Sequence, residues 1–373
     1  MHWAPKELAL PLGISFFTFQ QIAWLVAVRR KQIPRTSLLD YLTYILYFPK
    51  ILMGPLMDPL DFLAQINDKN KKKINWDNIA CGIQIFSLGL FKKVIIADVF
   101  AKGVTWGFSH AAAATGLDWL LVMLFYTFEI YFDFSGYCDM AVGASQMLNI
   151  TLPMNFDSPY QALSIKDFWK RWHISLTQFF TQYVYIPLGG NRKGTVRTYI
   201  NIMIVFLLSG LWHGANFTFI LWGALHGLFM CGDKLLDKWE ETFPRHLRSL
   251  TTFGIVNGLW LLFRAESVEQ WKHIIKIILE MKNPSISDGL LSCFLLPEIP
   301  FLVDIFHLSF TNGHKGFWTL AYLLISLGLC LLPGNNYRSR HVLSIRTLIF
   351  AIIAFIWGLI SLSGEAHFVY FNF

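Results

Sequence analysis

Charge is what this sequence has least of. Asp, Glu, Lys and Arg make up 15% of its 373 residues, while 54% are hydrophobic; an average soluble protein carries about 25% charged residues. That shortage excludes an ordinary soluble fold and places the chain in the membrane. Cysteine is also scarce. Cys81, Cys138, Cys231, Cys293 and Cys330 are widely spaced with no CxxC pair, which argues against a disulfide framework or a zinc site and for small core residues. There is no G-x-S-x-G elbow, no Walker A sequence and no dinucleotide fingerprint. No H-x-x-x-H or carboxylate companion sits at helical spacing beside the histidines of the apolar runs, so no metal is expected. The net charge of +7 does not imply nucleic acid, because the basic residues fall in short clusters between apolar runs. Such clusters suit cytoplasmic loops beside anionic lipid.

Long apolar stretches are abundant instead. They fall near residues 8–28, 38–57, 79–100, 115–134, 198–212, 214–232, 251–264, 289–307, 317–333 and 343–363. A helix needs about 20 residues to cross the hydrocarbon core. The expected fold is therefore all-α: one polytopic membrane bundle over residues 1–373, with about eight to eleven crossings. Pro49, Gly54-Pro55, Lys92-Lys93, Pro297 and Pro300 interrupt several stretches, so broken or re-entrant helices are expected where protein covers them. The start, MHWAPKELALPLG, lacks the marks of a cleaved leader and reads as the beginning of a retained helix. Residues 151–197 differ from their flanks, being aromatic, basic and rich in turn residues, and read as an interfacial segment.

Ionisable residues within apolar spans are costly and point to function by default. In YTFEIYFDFSGYCDMA, residues 126–141, Glu129, Asp133 and Tyr137 recur every four residues and share a helical face, with Asp139 nearby. They either line a polar cavity or form a salt-bridged helix end, broken by F-S-G. In the middle segment, Ser164 and Asp167 form a capping pair for a helix opening near Ile165. On that helix Trp169 and His173 share a line, with Lys166 and Lys170 on a polar stripe. In LWHGANFTFILWGALHG, residues 211–227, a straight helix would put His213 and Asn216 on one side. His226 would then lie about 20 Å further along, so both imidazoles could not serve one site. A histidine general base and a transporter's proton relay use the same residue types, and both readings stay open here.

The blocks PLGISFFTFQ (11–20), LFKKVIIAD (90–98), YFDFSGYCDMA (131–141), NFDSPY (155–160), DFWKRWHISL (167–176), YVYIPLGGNRKG (183–194), SGLWHGANFTFILWGALHG (209–227) and FVYFNF (368–373) together resemble the membrane-bound O-acyltransferase family, in particular its bacterial alginate-acetylation branch. The resemblance implies helices around a tunnel joining the two membrane faces. It implies transfer of an acyl group, acetyl from acetyl-CoA, to hydroxyls of an exported or cell-envelope polysaccharide, with no bound cofactor. It implies a bacterial inner membrane and an extracytoplasmic partner protein. His213 matches the signature histidine and His173 the second polar position. Asp133, Tyr137, Asp139, Asn155, Trp169, Arg171, Trp212 and Asn216 become candidates for lining the tunnel. His173 or Asn216 would donate to the oxyanion, and Lys170, Arg171, Arg192 and Lys193 would meet the donor's phosphates. Helices that precede PLGISFFTFQ in the family are missing here, as in a shortened member. A proton-coupled transporter and a catalytically silent scaffold are the competing expectations.

Overall fold

The computed structural model describes residues 13–363 apart from 35, 241, 283, 297–313, 333–334 and 339, and leaves the side chains of 237–240 aside. The block FVYFNF and most of the stretch at 289–307 lie outside these residues. Helices come in the order α1 Ile14–Arg29, α2 Leu38–Ile45, α3 Pro59–Asn67, α4 Trp76–Phe91, α5 Asp98–Ser109, α6 Gly116–Met147, α7 Ile165–Arg171, α8 Ile174–Phe180, α9 Thr195–His213 and α10 Phe217–Glu240. There follow α11 Arg245–Arg264, α12 Val268–Glu280, α13 Asp288–Ser292, α14 Lys315–Leu331 and α15 Ile345–Ile360. No strand occurs among the described residues.

Among the described residues, three helices are long and apolar enough to cross a membrane: Trp76–Ser109, Thr195–His213 and Phe217–Leu236. This is fewer than the apolar stretches suggest. Pro49 enters a 3-10 turn, Phe48–Lys50, that leaves α2 only 8 residues long. Lys92-Lys93 has the opposite outcome from the expected break. A π-helical turn, Lys92–Ala97, carries α4 into α5 as one 34-residue helix.

At the centre stands α6, whose 32 residues rise roughly 48 Å. Its start is pinned by a capping box in which Thr115 Oγ1 accepts from Asp118 N at 3.2 Å and Asp118 Oδ2 accepts from Thr115 N at 3.0 Å. The helix runs unbroken through F-S-G, contrary to one of the two readings of that block. Gly136 serves close packing rather than a break. A Cβ at Gly136 would lie 2.8 Å from the Gly89 carbonyl oxygen, and one at Gly143 2.5 Å from that of Gly82. Glycines seven apart on each helix thus let α4 and α6 touch backbone to backbone, as small residues do in membrane bundles.

That seam brings two neighbouring lysines onto α6. Lys92 Nζ is 2.7 Å from Asp139 Oδ2, and Lys93 Nζ is 2.8 Å from Asp133 Oδ1 and 2.6 Å from Asp98 Oδ1. Asp133 and Asp139 are therefore ion-paired within a continuous helix rather than at a broken helix end, and Asp139 also faces a cavity.

Candidate functional site

The middle segment does contain the predicted helix start. Ser164 Oγ accepts from Asp167 N at 3.2 Å. The helix does not continue as one rod, however. It stops at Arg171, and His173 adopts φ 45°, ψ 53° before α8 begins. Left-handed backbone is uncommon outside glycine and costs of order 1–3 kcal/mol, so it persists only where surroundings enforce it. Here they do. The Asn155 backbone oxygen accepts from Ile174 N at 3.0 Å, and Asn155 Oδ1 accepts from Ser175 N at 3.1 Å. The turn carries the His173 ring into the core, where it is 1% exposed.

Two elements lie against that ring. Phe134 on α6 meets it edge-on at 4.7 Å between centroids, and Phe16 on α1 stacks at 6.0 Å. Asn155 Oδ1 is 3.2 Å from His173 Nδ1, and His173 Nε2 is buried with no hydrogen-bond partner among the described residues. α7 and α8 are 7 residues each, too short to span a bilayer. Burial, with a lesser contribution from His213, holds the His173 pKa well below the usual histidine range and keeps the ring neutral.

His213 is the last residue of α9 and is buried. Its ring touches Trp212 at 4.6 Å, Phe263 at 4.9 Å and Trp222 at 5.3 Å. Trp212 in turn lies 5.6 Å from Phe16. Phe16 thus bridges the surroundings of the two histidines and joins them in one aromatic cluster. The structure brings this predicted pair together.

The straight-helix geometry of residues 211–227 is overturned. α9 ends at His213 and α10 starts at Phe217. A Cβ at Gly214 would lie 2.7 Å from the Phe219 ring, so glycine lets α10 fold back against α9. Further along the same seam a Cβ at Gly210 would meet the Phe219 carbonyl oxygen, and one at Gly223 the Phe206 carbonyl oxygen. His226 consequently returns toward the site. It is 4.7 Å from Trp222, whose other side is 5.3 Å from His213, so the two imidazoles are no farther apart than those separations laid end to end. The expected 20 Å does not exist. Trp169 Nε1 donates to His226 Nδ1 at 3.2 Å, which places Trp169 in this cluster.

Asn216 does not line the site. It is exposed, accepts from Thr218 N at 3.1 Å as a cap of α10, and donates to the Glu266 carbonyl at 2.9 Å. The indole N–H groups of Trp212 and Trp222 are buried without an acceptor among the described residues. Arg171 is engaged locally, donating to Asp167 Oδ1 at 2.9 Å and to the Asp157 carbonyl at 3.3 Å. Tyr137 is part-buried between two apolar clusters. Asp133 is consumed by Lys93, whereas Asp139 and Asn155 line a cavity of about 160 Å³ with Cys138 and Ser135. A second cavity, about 340 Å³, is lined by Trp169, Phe206 and Ser209, with Lys166 and Lys234 also on its wall.

The sequence reading missed Trp222 and Phe16, and misplaced His226. H-G-A-N held a legible signal, glycine after a helix end and asparagine before the next start.

Known proteins resemble this chain over most or all of its length. The chain is 37% identical over its whole length to a peptidoglycan O-acetyltransferase of Helicobacter pylori, covering 76% of that protein. It is 41% identical to a probable alginate O-acetylase of Pseudomonas putida over 70% of the chain, which spans about half of that relative, 54%. A teichoic acid D-alanyltransferase of Bacillus subtilis is 31% identical over 65% of the chain and is covered for 63% of its length. The model of one family covers residues 2–265, from before α1 to the end of α11 and so through His173, His213 and His226: the chain belongs to the membrane-bound O-acyltransferase family.

Proposed function

We propose that this chain moves acetyl from a thioester donor, acetyl-CoA, across the membrane toward hydroxyls of a cell-envelope polysaccharide such as peptidoglycan or an alginate-like polymer. The observation that carries the reading is the convergence of His173 and His213, far apart in sequence, on one buried aromatic cluster. A neutral imidazole there takes the acceptor hydroxyl's proton as its oxygen attacks the thioester carbonyl. The resemblance assigns that step to His213. The carbonyl oxygen becomes an oxyanion beside the unpartnered indole N–H groups of Trp212 and Trp222, which replace Asn216 in that role. Collapse of the adduct breaks the carbon–sulfur bond, and the proton leaves with the thiol. The aromatic enclosure keeps water from the thioester.

The setting proposed is the bacterial inner membrane, with donor and acceptor entering from opposite faces through a tunnel and an extracytoplasmic protein passing the acetyl group onward. Full-length similarity to a peptidoglycan O-acetyltransferase supports an envelope acceptor. The test is incubation of membranes holding the protein with isotope-labelled acetyl-CoA, followed by mass spectrometry of each envelope component. Label in a polysaccharide, lost in His213→Ala at equal protein level, is the expected result. No label in any component, or undiminished label in His213→Ala, overturns the reading.

A further inference from the structure

The hydrogen bonds around Asn155 determine which nitrogen of His173 carries its proton. Asn155 Oδ1 receives the Ser175 backbone N–H at 3.1 Å, and a backbone N–H can only donate, so that atom is the amide oxygen rather than nitrogen. The same oxygen receives the Ser175 hydroxyl at 2.9 Å, and Ser175 Oγ receives Leu56 N at 3.0 Å. On its other side, Asn155 Nδ2 donates to Cys138 Sγ at 3.3 Å. The amide is held from both ends, and a flip would set its NH2 against the Ser175 backbone N–H, two donors facing each other. An oxygen 3.2 Å from His173 Nδ1 requires a proton on Nδ1. Nε2 is then a bare lone pair, and it is the buried ring nitrogen without a partner.

We propose that Asn155 is a positioning residue, holding His173 in the Nδ1–H tautomer so that Nε2 accepts a hydrogen bond from a second donor on the incoming acceptor, while the attacking hydroxyl's single proton goes to His213. This rests on the acyl-transfer reading above and sharpens it. A lone pair cannot stabilise an oxyanion, so His173 orients the acceptor and does not serve the carbonyl oxygen. The left-handed turn has the same origin, since the backbone and side-chain oxygens of one asparagine cap Ile174 and Ser175. The titratable groups facing this arrangement are His213 on α9 and, through the amide, Cys138 on α6.

The experiment compares Asn155→Ala, Asn155→Asp, Ser175→Ala and His173→Ala in envelope membranes holding the whole chain, supplied with labelled acetyl-CoA as above. Nitrogen-15 NMR of histidine-labelled protein, with the His173 signals identified by difference, reads the tautomer without any turnover. Protonated Nδ1 is expected in the parent and in Asn155→Asp, and a mixture of tautomers in Asn155→Ala. Asn155→Ala should lower kcat on the order of 10²-fold with KM unchanged. Asn155→Asp keeps an acceptor and adds a negative charge that favours imidazolium, so it should retain most of kcat while the acid limb of its pH profile moves upward. Ser175→Ala should lower the melting temperature and leave kcat within about threefold of the parent, because the His173 contact survives. An unprotonated Nδ1 in the parent overturns the inference. So does full kcat per folded molecule in Asn155→Ala when His173→Ala has lost it. Full kcat in His173→Ala itself would instead refute the acyl-transfer role given to His173, leaving the tautomer measurement to stand separately.

Discussion

Replacing Gly89 by alanine adds one methyl to the crossing of α4 and α6. The new Cβ would sit 2.5 Å from the Gly136 carbonyl oxygen and 2.7 Å from Met140 N, both backbone atoms that cannot rotate away. Ordinary contact begins near 3.4 Å, so the helices must part by roughly 1 Å, and overpacking of that kind costs about 1–3 kcal/mol. Alanine also gains about 1 kcal/mol over glycine through helix propensity. Gly254→Ala isolates that second effect, because Gly254 lies within a helix and a Cβ there meets nothing within 4 Å. Thermal unfolding of both variants in the same detergent, followed by near-ultraviolet circular dichroism, should find Gly254→Ala unchanged or stabilised. Gly89→Ala should fall below it by about 1–3 kcal/mol. Adding Gly136→Ala to Gly89→Ala should cost less than the two single losses together, since the first separation makes room for the second methyl. Turnover should fall as well, because α6 carries Phe134 against His173 and Cys138 against Asn155. Equal melting behaviour of Gly89→Ala and Gly254→Ala would refute the backbone-contact argument.

Other outcomes follow from the same contacts. Lys93→Met strips the partner from Asp133 and Asp98 and should destabilise by about 3–5 kcal/mol, with partial recovery on adding Asp133→Asn; a melting temperature equal to the parent's would show the ion pairs to be inert. Asn216→Ala should cost about 1 kcal/mol as a lost cap and leave turnover per folded molecule unchanged, whereas collapse of turnover at full stability would return Asn216 to the site. His226→Gln preserves an acceptor for Trp169 and should retain most activity, while His213→Gln should stop transfer; near-complete loss in both would contradict their ranking.

Much of this protein was legible in composition and order alone. The scarcity of charge identifies a membrane chain, since unpaired charge is costly in hydrocarbon. The cap at Ser164 was likewise readable from a local hydrogen-bond pattern, and His173 and His213 stood out as imidazoles in aromatic or apolar surroundings. Periodicity failed where the backbone departs from regular helix. It ran one helix through His173, which sits in a left-handed turn, and another through Gly214, where α10 folds back. It broke the chain at Lys92-Lys93, which a π turn keeps continuous.

Each of those outcomes depends on atoms distant in sequence. Asn155 holds the turn at His173 from 18 residues away, Phe219 occupies the space a side chain at position 214 would need, and Asp133 and Asp139 meet lysines from another helix. Local sequence determined which residues the membrane could tolerate only if they were paired or put to use. Tertiary packing alone decided which were paired, as with Asp133, and which kept a free nitrogen, as with His173, because a hydrogen-bond partner is chosen by proximity in space and not by spacing along the chain.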